Sequence, residues 1–269
     1  MSWLQIIVLA IVQGLTEFLP ISSSGHLVLV PSVLGWGDQG LAFDVAVHFG
    51  SLLAVCLFFR KDIAGLFRGG MQLLGLNVRT VDAQIESRLL IGLALGTIPA
   101  AIAGLSLAGW IENNLRDPAV IVYTLSGYAA LMALADRIGG RERNITDVGV
   151  WDAFLIGCAQ ALALVPGTSR SGVTITAGRL LGFARQDAAR FSFLLSVPVI
   201  LLASAFKMIE LVTGSVAVPW AELGVAVLIS GIVAYVSIGF FMRFVSRIGL
   251  LPFAVYRFAL AAVIVYVLV

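Results

Sequence analysis

Apolar residues run almost unbroken over six stretches of the chain: Leu41 to Phe59, Leu89 to Trp110, Ala119 to Ala135, Phe191 to Val212, Ala221 to Met242 and Leu250 to Val269. A helix needs about 20 predominantly apolar residues to cross a hydrocarbon core of ~30 Å, so each stretch predicts one membrane-spanning helix. Two further apolar stretches stop short of that length. Ser2 to Leu19 is followed, after a break at Pro20 to Gly25, by only Leu27 to Leu34. Trp151 to Val165 breaks at Pro166-Gly167 before resuming from Val173 to Leu181. Each of these predicts two half-helices that meet at a polar turn.

A broken helix leaves backbone N–H and C=O groups that lipid cannot satisfy, so such a break is tolerated only where protein buries it or water reaches it. Both regions are therefore expected to be re-entrant helix-loop-helix hairpins pointing into the protein. Pro20 and Pro166 interrupt the helices, and Gly25, Gly167 and Gly172 allow tight turns. The alternative is a pair of ordinary kinked spanning helices.

Composition agrees with the pattern. A chain of 269 residues that is 60% hydrophobic and 12% charged, with a mean hydropathy of +1.03, has too much apolar surface for a soluble globule. The fold class expected is an all-α polytopic membrane protein. Cys56 and Cys158 each lie in an apolar run without a metal-ligand partner at a recognisable spacing, and read as small buried hydrophobes. The first segment has no basic n-region, so no cleaved signal peptide is expected.

The two halves of the chain, approximately 1–140 and 141–269, resemble each other within a single membrane domain. At an offset of 146, Pro20-Ile21-Ser22-Ser23 falls on Pro166-Gly167-Thr168-Ser169; at 148, the apolar run Phe43 to Phe58 falls on Phe191 to Phe206. Each half then reads as one hairpin followed by three spans. An odd number of spans inverts the second half relative to the first, and breaks at matching positions of inverted repeats mark a binding site.

Loop charge orients this arrangement. If Arg60 to Arg88 is cytoplasmic, alternation places 13 of the 17 basic residues inside, among them Arg137, Arg141, Arg143, Arg179, Arg185, Arg190, Arg243 and Arg247, and leaves Arg116 alone in an outer loop. Both termini then lie outside, the first hairpin opens to the exterior and the second to the cytoplasm, and their tips meet mid-membrane. Arg170, Lys207 and Arg257 remain within hydrophobic segments.

The tips carry the chemistry, because ionisable groups at membrane depth are costly and read by default as functional. At the second tip, Arg170 offers a planar donor fork beside the hydroxyls of Thr168, Ser169 and Ser171. A helix expected from Gly172 onward adds N–H donors and includes Thr174, which makes the tip an oxyanion site suited to phosphate. The alternative role of Arg170 is a purely structural pairing with Glu17. The first tip adds groups able to attack or to move protons: Ser22, Ser23 and Ser24 as hydroxyls, and His26 as general acid, base or nucleophile. The serines would otherwise cap the following half-helix. Gln13 and Glu17, four apart, share a helix face and supply oxygens suited to a divalent cation, Mg²⁺ or Ca²⁺. Glu17 alternatively orients His26 or activates water, and His48 reads as a packed, hydrogen-bonded helix residue.

The run from Gln13 to His26, together with Pro166 to Thr174 and the ending Pro252-Phe253-Ala254-Val255-Tyr256-Arg257-Phe258, resembles the paired signatures of the bacterial undecaprenyl pyrophosphate phosphatases of the bacitracin-resistance family. The resemblance covers essentially the whole chain. It implies a multi-pass hydrolase of the bacterial plasma (inner) membrane, its site open to the exterior. Such an enzyme removes one phosphate from a polyprenyl pyrophosphate lipid and recycles the carrier for cell-wall synthesis. It implies catalytic importance for the positions of Gln13, Glu17, Ser23, His26 and Arg170, with a divalent cation assisting. Where the family has Glu or Gln first in its motif, this chain has Gln13, which weakens the case for a two-carboxylate metal site. The expected partners are the lipid substrate, membrane lipids and a second copy in a homodimer; no nucleic acid is expected. The competing reading is a lipid-phosphate transporter or flippase, which the Ser23 and His26 pair disfavours because pure transport needs no nucleophile.

Overall fold

The computed structural model describes residues 1–76, 81–115, 117–140, 142–213 and 219–268. Arg79, one of the basic residues between Arg60 and Arg88, lies outside the described residues, as do Arg116, Arg141 and Val269. The described chain is helical, in the order α1 (Trp3–Thr16), α2 (Ser23–Leu34), α3 (Leu41–Phe58), α4 (Arg60–Leu73), α5 (Val81–Asn114) and α6 (Pro118–Ile138), then α7 (Val150–Ala161), α8 (Arg170–Leu180), α9 (Arg185–Thr213), α10 (Trp220–Ile248) and α11 (Leu251–Leu268). Six of these, α3, α5, α6, α9, α10 and α11, are long and apolar enough to cross a membrane, and they are the six predicted stretches. The shorter apolar helices α1, α2 and α7 have 14, 12 and 12 residues, and the more polar α8 has 11. At 1.5 Å per residue each is well short of a ~30 Å core.

One element is not announced by the hydrophobic pattern. The segment between Phe59 and Leu89 folds into the amphipathic helix α4 and an early start of α5 rather than a plain loop. Gly65 and Gly69 let the two helices touch at Glu86 and Ser87, where Ser87 Oγ donates to Gly69 O at 3.0 Å and Arg68 pairs with Glu86. The charged residues that make α4 amphipathic also kept it below the apolarity expected of a span.

Packing follows a paired pattern. Helix α1 lies on α10 and α7 on α5; α3 lies on α10 and α9 on α5; α2 meets α11 and α8 meets α6; α3 meets α9 and α6 meets α11. Exchanging α1, α2 and α3 for α7, α8 and α9, α5 for α10, and α6 for α11 returns these pairs, whereas the α8–α9, α1–α3, α9–α10 and α4–α5 contacts belong to one side of the exchange only. Close approach of α3 to α10 depends on Gly50, where a β-carbon would run into Ser230 Oγ and Val227 O.

Charged side chains hold the helix ends on the side of α4. Asp136 accepts from Arg185 Nε at 2.6 Å and Nη2 at 2.8 Å and from the Leu250 N–H at 3.0 Å, joining α6, α9 and α11. Arg190 pairs with Asp62 across the halves. Arg179, counted above with the loop charges, is instead fully buried at the end of α8, donating to the carbonyls of Gly139, Gly140 and Phe183. Arg143 donates to Asp152 in the first turn of α7 and to Leu181 O just past α8, so the α7–α8 pair begins and ends in one place.

Candidate active site

Two turns build the site. After α1 the chain leaves the helix at Glu17 and re-enters one at Ser23; after a short 3₁₀ turn at Leu162–Leu164 it re-enters at Arg170, two residues before the predicted start. Ser22 (φ 73°) and Ser169 (φ 69°) cap the new helices and are the only non-glycine residues with positive φ among those described. Such a backbone costs of order 1–3 kcal/mol for a residue with a side chain and persists where the surroundings enforce it. Each serine Oγ accepts from the N–H three residues on, Gly25 at 3.3 Å and Gly172 at 3.1 Å. Each also meets a second serine hydroxyl, Ser22 to Ser24 at 3.2 Å and Ser169 to Ser171 at 3.3 Å. The turns therefore superpose at an offset of 147, Ser22 on Ser169, rather than the 146 suggested by the prolines.

The turns are tied to each other. Arg170 Nη2 donates to Glu17 Oε1 at 2.9 Å, Ser171 Oγ to Leu19 O at 3.1 Å, and the Gly167 N–H to Ser24 Oγ at 3.4 Å. Gly167 has φ +87°, and a β-carbon there would meet Ile121 O at 2.8 Å, so the turn closes only on glycine. Arg170 also donates from Nη1 to Ser192 O at 3.3 Å and lies with its Cζ 5.5 Å from the centre of the Phe18 ring.

Glu17 is the hub. Its Oε2 accepts from Gln13 Nε2 at 3.0 Å and from Ser23 Oγ at 3.0 Å. His48 is hydrogen-bonded within its helix through Nδ1 to Asp44 O at 2.7 Å, and its Nε2 lies 3.8 Å from the same Glu17 oxygen. The hydroxyl of Ser23 thus points at a carboxylate rather than at His26. His26 is engaged elsewhere: Nδ1 with Ser22 O and Nε2 with Tyr256 Oη, both at 2.7 Å.

Of the remaining predicted residues, Thr174 packs behind Arg170, sharing a 2.6 Å hydrogen bond with Ser192 Oγ and donating to Arg170 O at 2.8 Å. Thr168 is buried with no partner on its hydroxyl. Its carbonyl and that of Gly167 each accept from the buried Arg257 guanidinium at 3.0 Å, and Thr124 Oγ1 donates to Pro166 O at 2.6 Å. Tyr256, Arg257, Ser192 and Thr124 were given no role in the sequence reading. A signal existed for the first two, since an arginine inside an apolar helix demands partners, and both lie in the recognised ending Pro252 to Phe258.

Among the described residues no cluster of three or more His, Cys, Asp and Glu is placed to hold a metal. The oxygens nearest to such a site are those of Glu17 and Gln13. Gln13 Oε1 is buried without a partner; turning over the Gln13 amide would bring it to the Glu17 carboxylate, an arrangement that suits a hard cation.

The description of bacitracin resistance protein BacA as a family matches residues 6–263 of this chain. An undecaprenyl-diphosphatase 2 of Stutzerimonas stutzeri (strain A1501) is 52% identical over 267 residues, covering 98% of this chain and 97% of that protein. An undecaprenyl-diphosphatase of Hahella chejuensis is 52% identical over 262 residues, with 97% of each chain covered. One of Marinobacter nauticus is 47% identical over 268 residues and covers both chains completely.

Proposed function

The chain belongs to the bacitracin resistance protein BacA family, and we propose that it hydrolyses undecaprenyl pyrophosphate to undecaprenyl phosphate and inorganic phosphate, recycling the carrier lipid and conferring bacitracin resistance. The observation that carries this reading is the shared carboxylate. Glu17 holds a hydroxyl nucleophile, Ser23, on one oxygen and a phosphate-binding guanidinium, Arg170, on the other.

In the first step Ser23 Oγ attacks the terminal phosphorus, its proton passes to Glu17, and the bond to the bridging oxygen breaks to release the lipid monophosphate. Arg170, released towards the substrate, and the hydroxyls of Ser22, Ser24, Thr168, Ser169, Ser171 and Thr174 supply donors around the phosphoryl oxygens or hold the turns that carry them. In the second step water attacks the phosphoserine, giving its proton to His26, while Ser23 Oγ leaves with the proton held by Glu17. A divalent cation, Mg²⁺ or Ca²⁺, bound by Glu17 and Gln13 would neutralise pyrophosphate charge.

The short helices and the exchangeable packing pattern support two inverted halves, about 1–140 and 141–269, with re-entrant hairpins meeting inside the membrane. The common start and end of the α7–α8 pair at Arg143 supports a hairpin that returns to the side it came from. Together with the positive-inside bias this favours a plasma (inner) membrane protein with its catalytic turn open to the exterior. A homodimer is testable by light scattering of the purified protein in detergent.

Inverted repeats with broken helices also suit a lipid-phosphate transporter. Phosphate release from undecaprenyl pyrophosphate by purified protein in detergent, with no gradient, separates the two. Protein that moves the lipid in vesicles but releases no phosphate would be a transporter.

A further inference from the structure

His26 has one nitrogen committed to the backbone. Ser22 O can only accept, so Nδ1 carries the proton in that 2.7 Å contact. The same carbonyl accepts the His26 backbone N–H at 3.4 Å. Ser22 is the N-cap residue of α2, so its carbonyl points along the new helix and meets both His26 groups. In the neutral ring, Nε2 is then the lone-pair nitrogen, and the hydroxyl that meets it at 2.7 Å, that of Tyr256, must donate.

Tyr256 is placed to hold that ring. Its ring plane lies 7° from that of His26 with centroids 5.7 Å apart, so the two rings face the same way and the hydroxyl reaches the imidazole edge. The next residue, Arg257, fastens α11 to the second turn through Gly167 O and Thr168 O. Consecutive residues of α11 therefore grip both turns, Tyr256 through the first and Arg257 through the second. Tyr256 is 43% exposed while His26 is 8% exposed, so the tyrosine is the more accessible partner of an enclosed imidazole. Its hydroxyl occupies the one ring nitrogen, Nε2, that a reacting water could use as a base.

We propose that Tyr256 is a positioning residue of the reaction: its hydroxyl holds the His26 imidazole in the tautomer with the lone pair on Nε2 and gives way to water when the phosphoenzyme is hydrolysed. The proposal rests on the phosphatase reading above and deepens the role given there to His26. Losing a hydrogen bond that orients a reacting imidazole typically costs activity roughly 10- to 100-fold.

The test is Tyr256→Phe, which removes the hydroxyl and keeps the ring. The chain has only two histidines, so ¹⁵N-labelled imidazole gives a readable spectrum in detergent, with His48→Gln used to assign it. In the wild type the His26 Nε2 resonance should report an unprotonated nitrogen accepting a hydrogen bond. In Tyr256→Phe it should move towards the free value or show mixed tautomers, while kcat falls roughly 10- to 100-fold and KM for the lipid pyrophosphate stays within about twofold. An unmoved resonance, an unchanged kcat, or a loss carried entirely by KM would each overturn the proposal. Phosphate release by the wild-type protein reports separately on the phosphatase reading, so failure of that reading is seen before the variants are compared.

Discussion

Glu17 and Arg170 lie 153 positions apart and meet as an ion pair at 2.9 Å, with their side chains only 7% and 13% exposed. The contact is the shortest bond between the two turns and places the phosphate fork on the carboxylate that also holds Ser23. It makes each charge the condition for the other.

Removing one member of such a pair strands the other in poorly solvated surroundings, at a cost of about 3–5 kcal/mol. Glu17→Gln and Arg170→Met should each lower the thermal midpoint in detergent and abolish phosphate release. The double variant should regain most of the midpoint and none of the activity. A double variant as unstable as the sum of the singles would mean that the two charges are not coupled. Arg170→Lys keeps the charge without the fork, so it should stay folded and lose activity about 10²-fold.

Because Ser23 donates to Glu17 while His26 is held by Ser22 and Tyr256, rapidly quenched wild-type enzyme should carry phosphate on serine. That adduct survives acid and is lost in base; a phosphohistidine does the reverse. Ser23→Ala should show neither turnover nor adduct. His26→Ala should accumulate the adduct and turn over faster as pH rises and hydroxide replaces the missing base. Acid-labile label on the wild-type enzyme would make His26 the nucleophile. No adduct, with solvent ¹⁸O entering in a single inversion at phosphorus, would shift the role to water activated at Glu17.

The strained cap at Ser169 gives a stability test that is independent of activity. Ser169→Ala removes the capping oxygen and keeps the β-carbon at φ 69°, so it should cost about 1–2 kcal/mol. Ser169→Gly loses the same oxygen but relieves the backbone, and should cost only a few tenths of a kcal/mol. Equal destabilisation of the two variants, read by denaturant titration, would show that the turn carries no strain.

Asp38 and Gln84 are both exposed and, in the inverted arrangement, lie on opposite sides of the membrane. Single cysteines at these positions should react with an impermeant reagent from opposite faces of oriented vesicles, Asp38→Cys from the exterior. Labelling of both from one face would remove the inverted arrangement and the exterior opening together.

The class of the molecule, its six spans and the places where two further helices break were all legible in the chain. These depend on local quantities: the length of an apolar run, the presence of proline, and the cost of a polar group in hydrocarbon. The residue types of the site were legible for the same reason, because Glu17, His26 and Arg170 stand out against apolar neighbours. Which of them touch was decided only by the tertiary structure. His26 finds Tyr256 at a separation of 230 positions and Arg257 finds Thr168 at 89, distances over which sequence spacing carries no geometry. Ser23 looked like a partner for His26 because they are three apart, yet Ser23 donates to Glu17 while Ser22 O and Tyr256 Oη take the two imidazole nitrogens. The positive φ at Ser22 and Ser169 was equally hidden, since nothing in a serine side chain calls for it. Packing of α4 on α5 decided the charged stretch too, where Glu86 and Ser87 supply partners that no local pattern announces.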